Sequence, residues 1–254
     1  MNRSAVVALL AAGLAIASAT PAGAGLYAYW PLDEGSGVTA HNLAPGGVNG
    51  TLVNNPVWVT NDPVRGTVLS FDGNNAYVSA GTIPAMLLTS DFTWSFWAYR
   101  DPNQPVNDDV ILGNRYGGTS SPLQFIKFTT KVFEYYRGGH AGSIDYTDIP
   151  DGSWIYHVVV KDGASLTYYR NGVVAGTSTT GVNIDPNPLF FGGDAGGERW
   201  QGLIDDVALY TRALDATEVR QLYNGAPPGN IPEPGTLALL GVGLLALTRR
   251  RRRA

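Results

Sequence analysis

The sequence lacks cysteine, has few charged residues and contains no long amphipathic helix in its central part. None of its 254 residues can therefore contribute a disulfide, a thiolate metal ligand or a cysteine nucleophile. Charged residues make up 15% of the chain, and residues 26–210 contain no long run with a helical apolar period. Aromatic residues, at 11%, are too frequent for a disordered chain. These features favour one packed β domain.

Basic residues are also scarce in the middle of the chain. Between residues 25 and 230 there are 11 lysine and arginine residues against 20 aspartate and glutamate residues. Nucleic-acid phosphates bind basic surfaces, because cationic side chains release the condensed counterions. An acidic surface repels them. The charge balance therefore argues against nucleic acid as a partner.

Residues 1–24 have the composition of a signal peptide. Arg3 is followed by an apolar run to residue 17, and residues 22–24 (AGA) form a small-residue cleavage site. This apolar run is shorter than the ~20 residues that a membrane span requires. We therefore predict cleavage and export, with residues 17–19 (ASA) as an alternative cleavage site.

The C-terminal residues 231–254 combine a Pro-Glu-Pro motif, an apolar run over residues 237–247 and a final arginine run. Residues 231–248 make about 27 Å of helix, enough for a thin bilayer. The positive-inside tendency keeps the arginines in the cytoplasm and everything before them outside. The residues of the motif and of the arginine run are Pro232, Glu233, Pro234, Arg249, Arg250, Arg251, Arg252 and Arg253.

This three-part ending resembles the PEP-CTERM sorting signal of Gram-negative bacteria. The resemblance implies that an exosortase, a membrane thiol transpeptidase, cuts near residues 232–234 and passes the protein to the envelope or extracellular matrix. The chain would then be anchored in the inner membrane only transiently. An ordinary tail anchor is the alternative. The resemblance covers only residues 231–254, so it concerns delivery and not the activity of the rest.

Residues 25–224 are predicted to form one β domain, because short runs rich in Tyr, Trp, Val, Ile and Thr are separated by Gly, Pro, Asn and Asp. Residues 92–99 (FTWSFWAY) alternate with period 2, which places one face in the core. Residues 154–160 predict a second strand. Residues 166–175 predict a hairpin whose Asn-Gly turn tolerates a positive φ.

One short helix is predicted to begin after Asp215, which caps it. Glu218 completes a capping box, and Leu214 with Val219 makes a hydrophobic staple. We expect this helix to cover one end of the sandwich. Residues 225–230, rich in Gly and Pro, are predicted to be a flexible linker to the C-terminal signal.

The order of several short segments resembles the laminin-G-like jelly roll, a branch of the concanavalin A-like lectin/glucanase superfamily. The resemblance implies an all-β, antiparallel β-sandwich with one short C-terminal helix, flanked by the signal peptide and the C-terminal apolar helix. Members are mostly carbohydrate- or protein-binding modules, often stabilised by calcium. The segments are residues 29–37, 49–52, 69–73, 92–97, 154–158, 170–172, 202–210 and 212–214.

Candidate catalytic residues are sparse. The glucanases of this superfamily carry paired carboxylates as Glu-x-Asp-x-x-Glu on one strand, and that motif is absent here. Glu134 stands beside two tyrosines, although a solvated strand residue is the better interpretation. The histidines show no triad pattern, and no nucleophile elbow occurs. We therefore predict no catalytic residue and no enzyme, with a glycan hydrolase or lyase as the alternative.

Acidic turns offer oxygen ligands for calcium, which takes about 6–8 of them. Neighbouring first and last strands would bring Asp33 near Asp205 or Asp206, and two further turn residues lie beside glycines. The alternative is that these side chains cap backbone amides. The candidate Ca²⁺ ligands are Asp33, Asn49, Asp72, Asp205 and Asp206.

More aromatic side chains are present than a core can absorb, which favours a sugar-binding surface. Alternation places Trp97 and Tyr99 opposite the core face of their strand, and residues 135–136 and 168–169 each place one ring on either face. A pyranose offers such rings an apolar C–H face. The alternative is that the individual rings are buried under loops. Trp200 is predicted to be exposed in a Gly-rich loop, with a plug under the last strand as the alternative. The candidate ligand-binding residues are Trp97, Tyr99, Tyr136, Tyr168 and Trp200.

The sequence thus predicts an exported, non-catalytic carbohydrate- or matrix-binding protein at the envelope, outer surface or extracellular matrix of a Gram-negative bacterium. Its expected partners are an exosortase-type transpeptidase, the membrane before processing, and a polysaccharide or matrix ligand. A purely structural envelope protein is a further alternative to the hydrolase or lyase.

Overall fold

The computed structural model describes residues 25–84, 88–103, 109–114, 123–147, 149–194 and 197–231. The predicted signal peptide, the Pro-Glu-Pro motif, the apolar run and the arginine run all lie outside the described residues. Within the described ranges, no helix has the length and apolar character needed to cross a membrane.

The described residues form seventeen strands and one α-helix. The first strands are β1 (Leu26–Trp30), β2 (Thr39–Ala40), β3 (Gly50–Val53), β4 (Val57–Asp62), β5 (Gly66–Asp72), β6 (Tyr77–Thr82), β7 (Phe92–Arg100) and β8 (Leu112–Gly113). The later ones are β9 (Gln124–Phe128), β10 (Val132–Arg137), β11 (His140–Ala141), β12 (Ile144–Asp145), β13 (Trp154–Asp162), β14 (Ser165–Arg170), β15 (Val173–Thr179), β16 (Pro188–Phe191) and β17 (Gln201–Tyr210). Helix α1 spans Ala216–Tyr223, and a 3₁₀ helix spans Pro228–Asn230.

The strands form two antiparallel sheets. The eight-stranded sheet has the order β15-β14-β13-β7-β17-β5-β4, and β1 also pairs with β17. The nine-stranded sheet has the order β11-β10-β9-β8-β16-β6-β3-β2, and β12 also pairs with β10. The first and last strands are therefore neighbours, as predicted. The predicted all-β antiparallel sandwich with one short helix is confirmed.

The main core lies between the two sheets. Phe92, Trp94 and Phe96 of β7 are fully buried in it, and Phe96 packs edge-on against Phe128 of β9 with ring centroids 4.9 Å apart. Each such burial contributes roughly 1.5–3 kcal/mol. The period-2 prediction for this strand is confirmed, as is the hairpin, whose Asn171 has a φ of 52°.

A second hydrophobic cluster lies on the outer face of the eight-stranded sheet. Val219 and Leu222 of α1 pack there with Tyr156, Val158 and Tyr210. The helix therefore covers an outer sheet face and not an end of the sandwich. Both β13 and β17 carry apolar side chains on the outer face as well as on the inner face. The outer face therefore also has to be covered from solvent.

The predicted capping box of α1 is present. The Asp215 carboxylate accepts hydrogen bonds from the amides of Thr217 and Glu218, and the Glu218 carboxylate accepts one from the Asp215 amide at 2.7 Å. Glu218 is also paired with Arg212 at 2.6 Å. These contacts fix where the helix begins, and with it the position of Tyr223 at the other end.

Residues 225–231 are packed against the domain. Ile231 is fully buried in the second cluster, and the Tyr210 hydroxyl donates a hydrogen bond to the Pro228 carbonyl at 3.2 Å. The prediction of a flexible linker is therefore wrong for these residues. Their Gly and Pro content indicated flexibility, whereas the burial of one apolar side chain at their end holds them in place.

Candidate functional site

Two cross-strand pairs of aromatic residues lie on the outer face of the eight-stranded sheet, beside α1. Trp97 of β7 is directly opposite Tyr156 of β13, and Tyr99 is opposite Trp154. Their ring centroids are 4.9 and 5.7 Å apart. Tyr156 is buried, whereas the other three rings are partly exposed. The period-2 geometry of neighbouring strands thus produces a row of rings that solvent can reach.

Arg65 lies over this row. Its guanidinium carbon is 4.4 Å from the centroid of Trp97 and 5.8 Å from that of Trp154. The turn between β4 and β5 positions it, because the Asp62 carboxylate accepts hydrogen bonds from the amides of Val64 and Arg65 and from the Trp154 indole. The cation–π contacts therefore rest on one local turn.

Two consecutive aspartate side chains of β17, those of Asp205 and Asp206, hold the Arg65 guanidinium. Its Nε donates to Asp205 Oδ2 at 2.5 Å, and its Nη2 donates to Asp206 Oδ2. A bulge in the pairing of β17 with β7 makes this possible, since Asp206 has a φ of 50° and both side chains turn toward one cation. The Tyr29 hydroxyl donates to Asp206 Oδ1 at 2.5 Å.

Burial changes the acidities in this cluster. Asp205 is buried, and its Oδ1 has no hydrogen-bond partner among the described residues. Burial, followed by the charge of Asp206, raises the pKa of Asp205 to about 8, although Arg65 opposes the shift. Burial and the same Asp206 charge also raise the pKa values of Asp33 and Tyr29. The acidic side chains of this cluster therefore outnumber Arg65, the cation that they share.

Two cavities open along the row of rings. One, of about 250 Å³, lies between Trp97, Arg65 and Asp206 on one side and Tyr223 with residues 225–228 on the other. The second, of about 580 Å³, is lined by Tyr99 and Trp154 together with the β4–β5 turn. We call this region the aromatic groove and define it by Trp97, Tyr99, Trp154, Tyr223 and Arg65.

The predicted ligand-binding residues do not all meet in this groove. Trp97 and Tyr99 lie in it. Tyr136 lies outside the main core on the nine-stranded sheet, stacked on Phe125 at 5.2 Å. Tyr168 is fully buried, with its hydroxyl 2.8 Å from His157 Nδ1. The alternation of residues 168–169 is as predicted, but Tyr168 is the ring that faces the main core.

Trp200 is also fully buried, so the expectation that it is exposed is wrong. It belongs to the main core, as in the alternative of a plug under the last strand. Gly202 permits this, because a Cβ there would lie 2.8 Å from the Trp200 ring and 2.2 Å from the Tyr99 carbonyl oxygen. A Gly-rich loop that suggested exposure instead gives a large ring room to enter the core.

The candidate calcium ligands separate into three places. Asp33 lies within electrostatic reach of Asp206, as the pairing of β1 with β17 predicts. Asn49 accepts from the Asn42 amide at 3.0 Å, and Asp72 caps the amides of residues 74–76. Among the described residues, no three His, Asp or Glu side chains are arranged to hold a metal ion. At Asp205 and Asp206, the Oδ2 atom of each side chain is bound to Arg65.

Glu134 takes part in an ion-pair network on the nine-stranded sheet. Lys127 Nζ lies 2.9 Å from Glu134 Oε2 and 3.1 Å from Glu198 Oε2. The sequence pattern did not connect these two glutamates. Their carboxylates share one ammonium group, so both are engaged in ion pairs in this structure.

Sequence reasoning also missed Arg65, Trp154 and Tyr223 as members of the groove. Trp154 had a usable signal, since it shares a strand face with Tyr156. Arg65 had none, because its partners Asp205 and Asp206 are about 140 positions away along the chain.

Two face-to-face antiparallel sheets with a short covering helix place the chain in the class of jelly-roll β-sandwich domains. The chain belongs to the concanavalin A-like lectin/glucanases superfamily, whose Laminin_G_3 family model matches residues 72–220. Residues 230–253 match the PEP-CTERM protein-sorting motif. The motif indicates an exported protein handled at the cell envelope and implies processing by an exosortase. No curated protein matches the chain significantly.

Solved structures share the fold at low identity. Domain 4 of AbnA, a GH43 extracellular arabinanase from Geobacillus stearothermophilus in complex with arabinotriose, has a TM-score of 0.63 and 16% identity, over 78% of this chain and 98% of that one. The binding domain of Paraclostridial Mosquitocidal Protein 1 has a TM-score of 0.60 and 16% identity, over 79% of this chain and 52% of that one. Trypanosoma rangeli sialidase in complex with sialic acid has a TM-score of 0.57 and 14% identity, over 78% of this chain and only 32% of the sialidase. Identities this low show the fold alone.

Proposed function

We propose that this domain is a non-catalytic module that binds polysaccharide in the aromatic groove. The observation that carries the proposal is the row formed by Trp97, Tyr99 and Trp154, which is partly exposed beside two cavities. Flat rings stack on the apolar faces of sugars, and the carboxylates of Asp62 and Asp206, which line the two cavities, accept hydrogen bonds from hydroxyl groups. The carbohydrate-bound domain of the arabinanase has the same fold, which adds support by analogy.

The charges of the groove favour a neutral polysaccharide. Arg65 is the cation of the groove, and the side chains of Asp205 and Asp206 already bind it. An acidic sugar would therefore find no unpaired positive charge there, while Asp33 and the acidic surface of the domain would repel it.

The absence of catalysis is part of the proposal. Glu134 on β10 and Glu198 in the loop before β17 share Lys127, and the Asp206 carboxylate of the groove is already bound by Arg65 and Tyr29. The alternative is a hydrolase or lyase in which Glu134 and Glu198 act as the two catalytic carboxyl groups. Calcium binding also stays a prediction. If calcium binds, Arg65 has to leave Asp205 and Asp206, and excess calcium should raise the melting temperature. An unchanged melting temperature would exclude the metal site.

Delivery completes the proposal. The chain is held in the inner membrane of a Gram-negative bacterium by residues 237–247, is cut near residues 232–234 by an exosortase-type transpeptidase, and reaches the outer surface or matrix. A polysaccharide of that matrix is the ligand we propose.

The test is an array of neutral, uronic-acid-rich and sulfated polysaccharides probed with residues 25–231, together with a reducing-sugar assay. We expect binding to neutral polysaccharides and no release of reducing ends. Turnover would instead support the hydrolase or lyase, and neither binding nor turnover would support a structural envelope protein. Binding restricted to acidic polysaccharides would contradict the charge argument while leaving the module a binding protein.

A further inference from the structure

The sorting motif begins inside the folded domain. Its match starts at residue 230, and Asn230 and Ile231 are both part of the folded structure. Ile231 is 0% exposed and packs in the second hydrophobic cluster with Tyr156 and Tyr210. The Pro-Glu-Pro motif therefore follows a buried residue directly, with no intervening linker in the sequence.

Residues 225–231, which we call the strap, are held at both ends and in the middle. The Gly225 and Ala226 amides donate to carbonyls of the last turn of α1 at 3.0 and 2.9 Å. The Pro228 carbonyl accepts from Tyr210. Ile231 anchors the far end. The strap also forms one wall of the smaller cavity.

Proteolytic enzymes act on segments that can leave the folded structure, because the substrate has to extend through the active site over several residues. Where opening and closing are fast, the rate of cutting follows the population of the open state. An enzyme that cuts near residues 232–234 has to accommodate residues on the N-terminal side of the cut. In this chain those residues belong to the strap.

We propose that release of the strap from the eight-stranded sheet is the step that admits the exosortase-type transpeptidase to residues 232–234. Because Pro232 follows Ile231 directly in the sequence, the docked strap keeps the residues on the N-terminal side of the cut folded, and this limits the rate of processing. Undocking requires Ile231 to leave the second cluster and the Tyr210–Pro228 hydrogen bond to break, while the two sheets and α1 stay folded.

The test is a pulse-chase of the full-length chain in its native host, with mass spectrometry of the C-terminus to follow the loss of residues after the cut. Tyr210→Phe removes one hydrogen bond to the strap without changing the strap sequence, and we expect it to speed processing by a few-fold. Ile231→Ala removes most of the anchor, and we expect roughly tenfold faster processing or more. Val174→Ser, at an exposed position of β15, is the control that leaves the rate unchanged.

A second variant separates release of the strap from recognition of its sequence. Six Gly/Ser residues inserted between Ile231 and Pro232 leave the strap docked but lengthen the chain between the strap and the motif, so the proposal expects faster processing. Slower processing of the insertion variant would mean that the enzyme reads the adjacent strap residues, and would overturn the proposal. Unchanged rates in Tyr210→Phe, Ile231→Ala and the insertion variant would overturn it too, as would a wild-type chain that is never cut. The melting temperature of each variant is the control for whether the domain stays folded.

Discussion

Asp205 is a buried carboxyl whose ionisation should be visible in the pH dependence of stability. Its pKa is about 8 in the folded state and near 3.8 in the unfolded chain. The unfolded chain therefore loses this proton first as the pH rises. The stability contributed by protonated Asp205 is complete below about pH 3.8 and is lost progressively up to about pH 8.

His157 has the opposite effect at lower pH. Burial, followed by the charge of Arg170, lowers its pKa from 6.5 to about 3. As the pH falls below 6.5 the unfolded chain takes up this proton and the folded chain does not, so stability decreases toward acid. Between about pH 4 and 6.5 the two groups oppose one another.

We therefore predict that Asp205→Asn changes the shape of the stability profile. Urea unfolding of the wild type should lose stability between pH 6.5 and 8, with a slope of up to about 1.4 kcal/mol per pH unit, whereas the variant should be flat there. Below pH 6.5 the variant should lose stability toward acid more steeply than the wild type. Parallel profiles for the two proteins would show that Asp205 is ionised in the fold at neutral pH.

The sequence predicts the start of helix α1 well, but it does not predict which surface the helix covers. Asp215, Glu218 and Leu214 form a local pattern, so the beginning of the helix could be predicted from a few consecutive residues. The surface that α1 covers depends on Tyr156 and Tyr210, which are distant along the chain. Local patterns thus specify elements, while the partner surfaces come from long-range packing.

The same distinction explains the site. The period-2 alternation of residues along β7 was enough to place Trp97 and Tyr99 outside the main core. The orientation of Tyr168 required the register of the hairpin, and the burial of Trp200 required a glycine in the strand that follows it. The position of Arg65 over Trp97 depends on a bulge in β17, which alternation does not predict.

Replacing the cap of α1 tests the contribution of this element. Asp215→Ala removes two hydrogen bonds to the first turn and should lower the free energy of unfolding by about 1 kcal/mol. Thr217→Ala, at an exposed position in the same turn, is the matched control and should change it by less than about 0.5 kcal/mol. Equal losses in the two variants would mean that the capping box does not stabilise the helix.

At the scale of the whole molecule, the central domain and the C-terminal signal are joined by a docked segment and not by a free one. The composition of residues 225–230 indicated a linker because Gly and Pro are common in both linkers and tight turns. The burial of Ile231 decided between the two, and no sequence pattern identifies the surface that receives it.

Changing Pro232, Glu233 and Pro234 to alanine tests the sorting interpretation. The apolar run and the arginine run stay intact, so the chain should still be inserted but not cut, and a membrane-bound, full-length form should accumulate. An ordinary tail anchor would give the same C-terminus in wild type and variant. Mass spectrometry of the peptide spanning residues 213–248 distinguishes the two, and an intact peptide in most wild-type molecules would contradict the sorting interpretation.

The central claim is that the aromatic groove binds a neutral polysaccharide. The most direct measurement is calorimetric titration of residues 25–231 with the polysaccharide selected on the array, for the wild type, Trp97→Ala, Tyr99→Ala and Tyr136→Ala. We predict that each groove variant weakens binding by roughly 2 kcal/mol, about thirty-fold in Kd. Tyr136→Ala, which removes a partly exposed ring from the other sheet, should bind like the wild type. Unchanged affinity in correctly folded Trp97→Ala and Tyr99→Ala, or a loss confined to Tyr136→Ala, would contradict the account.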